Sequence, residues 1–597
     1  MTHAFIGELG REGNRLSAVD LLAGGDPRPL AESQPRAARD AKAGAIVAVR
    51  EDADGLRVAR VLAEADSALA EMYRIAAQHG LTTVFPSQVE AEAAELVAHP
   101  GIDDPSLEDL THLPFVTIDG PGTRDLDQAA YLELREGGYI IYYALADPAH
   151  AVRPGTALFA EALRRGATYY LPGLAVPMLP RVLSEDLVSL APEQDRRAMV
   201  FRMEIDSRGH CDHTRIFRAR VRSRAQLTFE QVHQFLANPT DNPLPSKAIE
   251  ESVRLLEPVG RARLEDATAR DVVHYRRTET ELKLDGKRGM RFVVQLGDRG
   301  EVETYNAQLS LLCNIEGALF LERERAADVG PDDLQPIYRV HPSPPPERLD
   351  ELEHMITALV ARRSLDPAVF LWRRAEGQSL AHYLEGLPRE GALGHVAKAI
   401  HRQAVITNLR STFSANPGRH YGVGAEVYAR FSAPMREIVG IFLHKEVFER
   451  LEGKAASADD DALCRQVVER ANEAKALQKT LENAANLVAL DQLFEADRQR
   501  PRDARPWRAG TVMGLTAGKV HVSLESPGVD VKIYTRHLEA QAKAKLSLSP
   551  DGTALVSDEP TPRTICCLGD AVEVRVHDRD RSRSRDGRWN LTLRARG

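Results

Sequence analysis

The chain has 597 residues, of which 43% are hydrophobic and 28% are charged. This composition is typical of globular proteins, and the length predicts two to four domains. No segment approaches the roughly 20 consecutive apolar residues that a membrane span requires, so we expect no membrane partner. The start of the chain lacks a signal-peptide pattern, which predicts a cytoplasmic protein. Five scattered cysteines argue against a zinc site or a disulfide framework.

The net charge of -9 is unevenly distributed along the chain. Residues 501–597 contain 17 Lys and Arg against 12 Asp and Glu, so the remainder carries a net charge of -14. Such asymmetry indicates a basic module that is attached to a larger acidic body. A solvated basic tail is the alternative explanation.

Residues 1–98 are predicted to form a small, mostly helical domain. The first forty or so residues are rich in Ala, Arg, Pro and Gly and are predicted to be loosely structured, and the segment up to residue 63 is compatible with one hairpin. ADSALAEMYRIAAQHG and SQVEAEAAELVAH predict two helices, the second with a Ser cap. This outline is typical of a helix-turn-helix and of any small helical hairpin. The acidic second helix favours the helical hairpin and makes DNA binding the less favoured interpretation.

Residues 99–500 mix strands and helices. YLELREGGYIIYYALAD predicts a strand pair that turns at Gly137 and Gly138. A long helix over residues 466–498 ends before a segment that contains Pro and Arg, which marks a domain boundary.

After Trp507, short alternating runs predict a small β-barrel over residues 501–597. A small basic barrel of this kind most often binds single-stranded nucleic acid. Taken together, the sequence predicts a multidomain α+β protein.

Asp119, Asp125, Asp127 and Gln128 lie within ten residues of the stretch TIDGPGTRDLDQ, between two apolar runs. Crowded carboxylates repel one another and raise one another's pKa values. Magnesium removes this conflict, because it binds through one or two carboxylates together with water and substrate phosphates. The Gly-Pro-Gly loop can bring both ends of the segment to one point, so the sequence predicts a magnesium site. The alternative is a polar turn in which the aspartates only accept hydrogen bonds.

The same stretch resembles the signature of the ribonuclease II family, in which TID, five intervening residues and DxDD open the catalytic domain. The resemblance continues in order through ALADPAHAV, YLPGLAVPMLP, YRVH and GRHYGVGAEVYARFSAPMREIVGIFLHK. It implies an RNB-type mixed α/β catalytic domain at 99–500 and an S-one-type OB-fold RNA-binding domain at 501–597. Relatives usually begin with two cold-shock barrels, which we expect to be replaced here by the helical domain.

The family implies a processive, magnesium-dependent exoribonuclease that degrades single-stranded RNA from its 3′ end to nucleoside 5′-monophosphates. Mn²⁺ is the expected substitute for Mg²⁺, and a monomer is the expected state. Asp119, Asp125, Asp127 and Gln128 fall on metal-binding positions, and Asp125, Asp127 and Arg436 fall on catalytic ones. Gln128 replaces the family's fourth aspartate, which implies weaker metal affinity. The alternative is an inactive RNA-binding protein in which Gln128 has abolished metal binding.

The resemblance also indicates residues that contact RNA. Phe229 falls where the family stacks an aromatic ring near the channel entrance, and Ser432 belongs to the segment FSAPMRE. Four further candidates for the channel lining are Tyr338, His341, His420 and Tyr421. Each aromatic or imidazole side chain in this group is equally consistent with a core position.

Two further positions follow from the resemblance. Gln478 or Glu482 falls near the family's contact with the terminal ribose, and the register of the long helix does not choose between them. Glu437 replaces a usually basic neighbour of Arg436, and Ala433 replaces a serine, which implies fewer contacts with the RNA backbone.

Overall fold

The computed structural model describes residues 5–270, 272–273, 279–285, 289–297, 300–326, 334–391, 393–454, 458–526, 528–580, 583 and 587–596. These residues form an N-terminal antiparallel sheet, a large central α/β body and a C-terminal β-rich unit. Within them, no helix has both the length and the apolar character needed to cross a bilayer.

The N-terminal sheet contains five antiparallel strands in the order β3-β2-β1-β4-β5. They are β1 (Phe5–Glu12), β2 (Arg15–Asp20), β3 (Gly24–Pro29), β4 (Ile46–Asp52) and β5 (Gly55–Ala63), and helix α1 (Arg36–Asp40) precedes β4. The β4–β5 hairpin confirms the prediction for that segment. The predictions of a mostly helical domain and of loosely structured first forty residues are wrong. Neighbouring residues of β1 and β4, such as Phe5 with Ile6 and Ile46 with Val47, are buried in two different clusters, which weakens the alternation of apolar and polar residues in the sequence.

Helices α2 (Ala68–Gln78) and α3 (Ser87–Ala98) follow the sheet and confirm the two predicted helices. Ser67 caps α2, because its hydroxyl oxygen accepts a hydrogen bond from the amide of Ala70 at 3.1 Å. The predicted Ser cap of the second helix is wrong, since Ser87 is already helical and α3 has no side-chain cap. Each helix packs against a helix of the central body, α2 against α15 and α3 against α5, so the pair does not form a separate domain.

A six-stranded sheet in the order β12-β9-β8-β7-β13-β6 forms the centre of the molecule, and β12 and β13 also pair with each other. Its strands are β6 (Glu108–Asp109), β7 (Phe115–Asp119), β8 (Gln128–Arg135), β9 (Gly138–Ala146), β12 (Asp195–Asp206) and β13 (Cys211–Thr228). The antiparallel pair β8–β9 confirms the predicted strand pair. Because β7 ends at Asp119 and β8 begins at Gln128, the four predicted metal-binding residues lie at one end of two neighbouring strands.

Short hairpins and helices surround this sheet. The two-stranded pairs are β10 (Tyr169–Leu171) with β11 (Leu174–Val176), β14 (Glu279–Leu284) with β15 (Phe292–Gly297), and β16 (Tyr338–Val340) with β17 (Thr412–Ser414). The helices are α4 (Pro148–Ala151), α5 (Ala157–Arg165), α6 (Phe229–Ala237), α7 (Lys247–Arg254), α8 (Leu256–Ala269), α9 (Glu301–Ala326), α10 (Pro346–Arg363), α11 (Pro367–Phe370), α12 (Leu380–Gly386), α13 (Gly394–Thr407), α14 (Ile438–Leu451) and α15 (Ala458–Arg498). The predicted long helix is confirmed within α15, which contacts α2, α5, α14 and the C-terminal unit.

The C-terminal unit contains a five-stranded antiparallel sheet in the order β20-β19-β18-β24-β25 and a three-stranded sheet β21-β22-β23. Its elements are β18 (Arg508–Thr516), β19 (Lys519–Leu524), β20 (Asp530–Tyr534), α16 (Thr535–Ala542), β21 (Leu546–Leu548), β22 (Ala554–Ser557), β23 (Thr564–Cys567), β24 (Ala571–Arg579) and β25 (Trp589–Ala595). The predicted short strands are confirmed. Among the described strands, β20 and β25 are unpaired edges, so the expected closed barrel is not formed.

Helix α14 packs closely against the loop that precedes it, because Gly440 has no side chain. A Cβ atom at Gly440 would lie 2.6 Å from Cα of Pro434, which is a backbone atom. The loop itself makes a tight turn, in which the amides of Arg436 and Glu437 donate to the carbonyl of Ala433 at 3.1 and 3.0 Å. Gly440 therefore fixes the backbone that carries Arg436.

Gly440→Ala is expected to lower the thermal unfolding midpoint. Overpacking costs about 1–3 kcal/mol, and the clash is with a backbone atom that cannot easily move. This cost exceeds the gain of about 1 kcal/mol that alanine brings over glycine in a helix. Calorimetry of the full chain measures the shift. Gly386→Ala is the matched control, because a Cβ atom at that helical glycine meets open space. An equal or higher midpoint for Gly440→Ala would contradict the close packing.

Candidate active site

The loop of residues 120–127 carries two of the predicted acidic residues and is held at both ends. Asp119 precedes it, and its Oδ1 accepts a hydrogen bond from Oγ1 of Thr123 at 3.2 Å. At the other end Leu126 is buried, and its amide donates to Oγ of Ser189 at 3.1 Å. The loop is thereby pinned to the neighbouring segment of the central body, and its acidic side chains cannot disperse into solvent.

Arg436 lies at the centre of the acidic residues. Its Nε lies 2.6 Å from Oδ2 of Asp127 and 3.6 Å from Oδ2 of Asp125, and its Nη2 lies 3.9 Å from Oδ2 of Asp119. Nη2 also donates to the backbone carbonyl of Asp125 at 3.2 Å, across a sequence separation of 311 residues. The structure thus brings together all three predicted aspartates and the predicted catalytic arginine.

Asp127 is the most buried of these acidic groups, with 2% of its surface exposed. Its Oδ1 accepts a hydrogen bond from the amide of Met435 at 2.9 Å, whereas Oδ2 contacts Arg436 without a well-directed hydrogen bond. Burial raises the pKa of Asp127 to about 6, against the lowering effect of Arg436 and of the Met435 amide. Asp127 therefore depends on a nearby positive charge to stay ionised.

Gln128 begins β8, and its amide oxygen accepts a hydrogen bond from the hydroxyl of Tyr143. Tyr143 is 1% exposed, and burial raises the pKa of its hydroxyl well above the usual value, so the hydroxyl stays protonated. An amide oxygen has two lone pairs, of which Tyr143 uses one. Gln128 is thus the uncharged member of the four predicted metal ligands, and its oxygen keeps a second lone pair that could face a cation.

Asn314 on α9 holds the segment that carries Arg436, and sequence reasoning missed it. Its Oδ1 accepts hydrogen bonds from the amides of Phe431 and Ser432 at 2.7 and 3.0 Å, and its Nδ2 donates to the hydroxyls of Ser432 and Tyr428 at 2.9 and 3.0 Å. Asn314 is fully buried. No local pattern signals this role, because every partner lies more than a hundred residues away in the chain.

A cavity of about 1060 Å³ opens beside the acidic site. Tyr170 lines it together with Arg436, and the Tyr170 hydroxyl donates to Oδ2 of Asp125 at 3.1 Å. Tyr170 was not among the predicted site residues. Its place in the YYLPG segment, which matches a family motif, is the sequence signal that could have identified it. Gln478 and Glu482, the two candidates for the ribose contact, also line the cavity, and Gln478 donates to the backbone carbonyl of Tyr170 at 3.3 Å.

Two of the expected RNA contacts are core residues. Tyr338 is fully buried, and its hydroxyl donates to the carboxylate of Glu322. Ser432 is 6% exposed, and its hydroxyl is hydrogen-bonded to Ser310 and Asn314. Neither side chain offers a surface to RNA, so both expectations are corrected. Both residues instead contribute to the internal packing and hydrogen bonding that support the site.

The other four candidates for RNA contact are half-buried. Phe229 begins α6 and packs against the central core. His341 and His420 form an aromatic cluster with Tyr421, in which ring centroids lie 5.1 Å apart for the two histidines and 6.0 Å apart for His341 and Tyr421. In the part of the chain that the structure describes, none of the four lines the cavity. Their contact with RNA stays a prediction.

The chemistry of the donor set suits a hard divalent cation. Asp119, Asp125 and Asp127 offer carboxylate oxygens, which Mg²⁺ prefers, and one buried oxygen of Asp127 lacks a directed hydrogen bond. The three negative charges face the single positive charge of Arg436. Among the described residues these carboxylates are not gathered within 4.8 Å of one another, but Mg²⁺ needs only one or two direct carboxylates. The residues therefore fit a bound Mg²⁺ or Mn²⁺.

A second acidic group is already neutralised. Glu446, Glu449 and Asp460 have oxygens within 4.8 Å of one another. The Nζ of Lys445 lies 2.7 Å from the first two carboxylates and 3.0 Å from the third. This lysine occupies the place that a metal ion would take, so the group is an internal ion pair.

Comparison with known proteins identifies related chains. The model of the RNB domain matches residues 107–453. Ribonuclease R of Vibrio cholerae is 28% identical over 378 residues, which span 62% of this chain and 43% of that protein. Exoribonuclease 2 of Escherichia coli is 28% identical over 500 residues, which span 83% of this chain and 72% of that protein. The solved structure of Mycoplasma genitalium RNase R, in complex with ribose-methylated single-stranded RNA, has a TM-score of 0.77 at 20% identity and covers 99% of this chain and 89% of its own.

Asn314→Ala is expected to lower the unfolding midpoint and to release the segment that carries Arg436. The substitution leaves two buried amides without an acceptor, each at a cost of about 1–3 kcal/mol. Calorimetry and the rate of RNA cleavage measure both effects. Ser310→Ala is the control, because it removes hydroxyl contacts with Ser432, at 2.8 Å, and with Tyr143, but leaves both backbone amides with their acceptor. Equal losses for the two variants would contradict the clamp.

Proposed function

This chain belongs to the RNB-domain family of exoribonucleases, and we propose that it hydrolyses single-stranded RNA from the 3′ end to nucleoside 5′-monophosphates in a processive, Mg²⁺-dependent reaction. One observation carries the proposal. Asp119, Asp125 and Asp127 surround Arg436 at the wall of a cavity of about 1060 Å³. Acidic groups and a guanidinium in contact with one another suit the cleavage of a phosphodiester better than the binding of a neutral ligand.

Asp119, Asp125 and Asp127 would hold the metal, with Gln128 as a neutral fourth group. When bound, a divalent metal polarises phosphoryl oxygens and lowers the pKa of a bound water. Mn²⁺ is the expected substitute for Mg²⁺, since both are hard cations that take oxygen ligands.

Arg436 is the residue that would bind the scissile phosphate. Burial by itself lowers the pKa of its guanidinium, but the charges of Asp127, Asp125 and Asp119 raise it further than burial lowers it, so Arg436 stays charged. Its planar donors match two oxygens of a phosphate. Preorganised positive charge of this kind stabilises the charge that develops as a phosphodiester is cleaved. The Asn314 network and Gly440 hold the segment of Arg436 in place before RNA arrives.

The β-rich ends of the chain would guide RNA towards the cavity. In the C-terminal unit, the Trp507 ring lies under two guanidinium groups, 4.3 Å from Arg575 and 4.1 Å from Arg594. Aromatic rings and cations of this kind bind single-stranded nucleic acid by stacking and charge. We propose an OB-type RNA-binding role for this unit, and a monomer that acts in the cytoplasm on RNA, without duplex DNA as a partner.

Digestion of a 5′-labelled single-stranded RNA, with Mg²⁺ titrated from zero into the millimolar range, tests the proposal. We expect products that shorten from the 3′ end, and loss of cleavage with chelator. Asp127→Asn should reduce the rate by at least about 100-fold, because it removes the charge that is most closely paired with Arg436. Intact RNA at every Mg²⁺ and Mn²⁺ concentration, with RNA binding retained, would instead favour an inactive RNA-binding protein.

Gln128→Asp tests the cost of the neutral fourth group. A carboxylate in place of the amide adds negative charge to the metal site, so the Mg²⁺ concentration for half-maximal cleavage should fall roughly tenfold, since ligand charge tunes metal affinity. Calorimetric titration with Mn²⁺ gives a readout that does not depend on activity. Tyr143→Phe is the control, because it removes the hydrogen bond to Gln128 without adding charge. Unchanged metal affinity in Gln128→Asp would show that position 128 lies outside the metal site.

A further inference from the structure

Glu437 follows Arg436 in the chain and forms an ion-pair triad at the cavity wall, in which Glu437 itself is largely buried. Its Oε1 lies 3.0 Å from Nζ of Lys475, and both of its oxygens lie 3.4 Å from guanidinium nitrogens of Arg430. Burial alone would raise the pKa of Glu437, but Arg430 and Lys475 lower it to about 2. Glu437 is therefore charged at neutral pH, and with two basic partners the triad carries one net positive charge.

The triad reverses the arrangement that the family resemblance implies. A usually basic residue follows the motif arginine, whereas this chain has an acid there and takes its positive charge from elsewhere. Lys475 supplies it from α15, 38 residues further along the chain. Arg430, Glu437 and Lys475 all line the cavity that Arg436 lines. Positive charge beside the catalytic arginine is thus retained from a different element.

Lys475 has more N–H donors than its ion pair with Glu437 uses. Its ammonium group carries three N–H donors, and among the described residues Glu437 is the one carboxylate within 4 Å of it. The Lys475 side chain is 45% exposed, whereas that of Glu437 is 13% exposed. Lys475 can therefore keep its ion pair and bind a second anion from the cavity.

The wall of the cavity places Lys475 close to the reacting end of a bound strand. Lys475 and Gln478 lie three residues apart on one face of α15, which corresponds to about 5 Å along the helix. Gln478 contacts the backbone of Tyr170, whose hydroxyl contacts Asp125. Lys475 and Arg436 therefore line the same cavity, with Gln478 and Tyr170 connecting the face of Lys475 to the acidic site.

We propose that Lys475 binds a phosphodiester of the RNA strand next to the scissile one, and that Glu437 and Arg430 position it. The proposal rests on the proposed function and deepens it, since it assigns a backbone-phosphate subsite to the same cavity. Glu437 keeps the ammonium group at the wall. The subsite recognises the negative charge of the phosphate and does not discriminate between bases.

Binding measurements on the full chain test this subsite. The Asp127→Asn background prevents cleavage, and fluorescence anisotropy follows a 5′-labelled single-stranded RNA over a range of salt. Lys475→Met should weaken binding roughly fivefold, the effect of one partly exposed charge contact. It should also reduce the slope of log affinity against log salt by about 0.7, the value for one phosphate of a single strand. Lys475→Arg should restore most of both.

Lys479→Met is the matched control, because Lys479 is exposed on the same helix and does not line the cavity. RNAs that carry one neutral methylphosphonate near the 3′ end then locate the contact. A methylphosphonate at the bound phosphate should weaken RNA binding by the protein that has Lys475. It should not weaken binding by the Lys475→Met variant, so the two changes are coupled as in a double-mutant cycle. Additive effects at every position, or an equal loss in Lys479→Met, would overturn the subsite. Absence of cleavage by the unmodified chain would contradict the proposed function and would leave these binding data unaffected.

Discussion

The structure depends on holding three carboxylates together beside one guanidinium. Carboxylates that lie close together repel one another, and a buried carboxylate also loses its hydration. Asp127 is therefore stable as an anion only because Arg436 and the Met435 amide face it. The protein must therefore fix two segments that lie more than 300 residues apart. Ser189 pins the acidic loop, and Asn314 clamps the arginine segment. The buried polar bonds around the site hold it in one geometry before any ligand binds.

The long helix α15 turns this local site into part of a cavity. One face of α15 packs on α2 and on β10, and its last turns contact the C-terminal unit. Lys475, Gln478 and Glu482 on that helix line the same cavity as Arg436. The relative placement of the cavity wall and the acidic loop is thus set by helix packing, which is rigid because protein interiors are closely packed.

Local patterns made much of the fold and of the reacting centre predictable. The β8–β9 pair, α2, α3 and the acidic loop are encoded by neighbouring residues, and the loop's chemistry follows from charge crowding. The N-terminal sheet was missed because consecutive residues of its strands, such as Phe5 and Ile6, are both buried, which weakens the alternation. For Tyr338 the sequence left RNA contact and a core position equally open, because a motif does not reveal burial, and the structure places it in the core. The role of Asn314 depends on contacts across more than a hundred residues, which no local window contains.

Two of the departures from the family pattern, Gln128 and Glu437, change the charge of the site in different places. Gln128 gives the proposed metal-binding group one negative charge fewer than the family pattern, so the three aspartates attract a cation less strongly. Glu437 places a negative charge on the other side of Arg436, but Arg430 and Lys475 more than neutralise it. The cavity wall therefore stays positive where an RNA backbone would run.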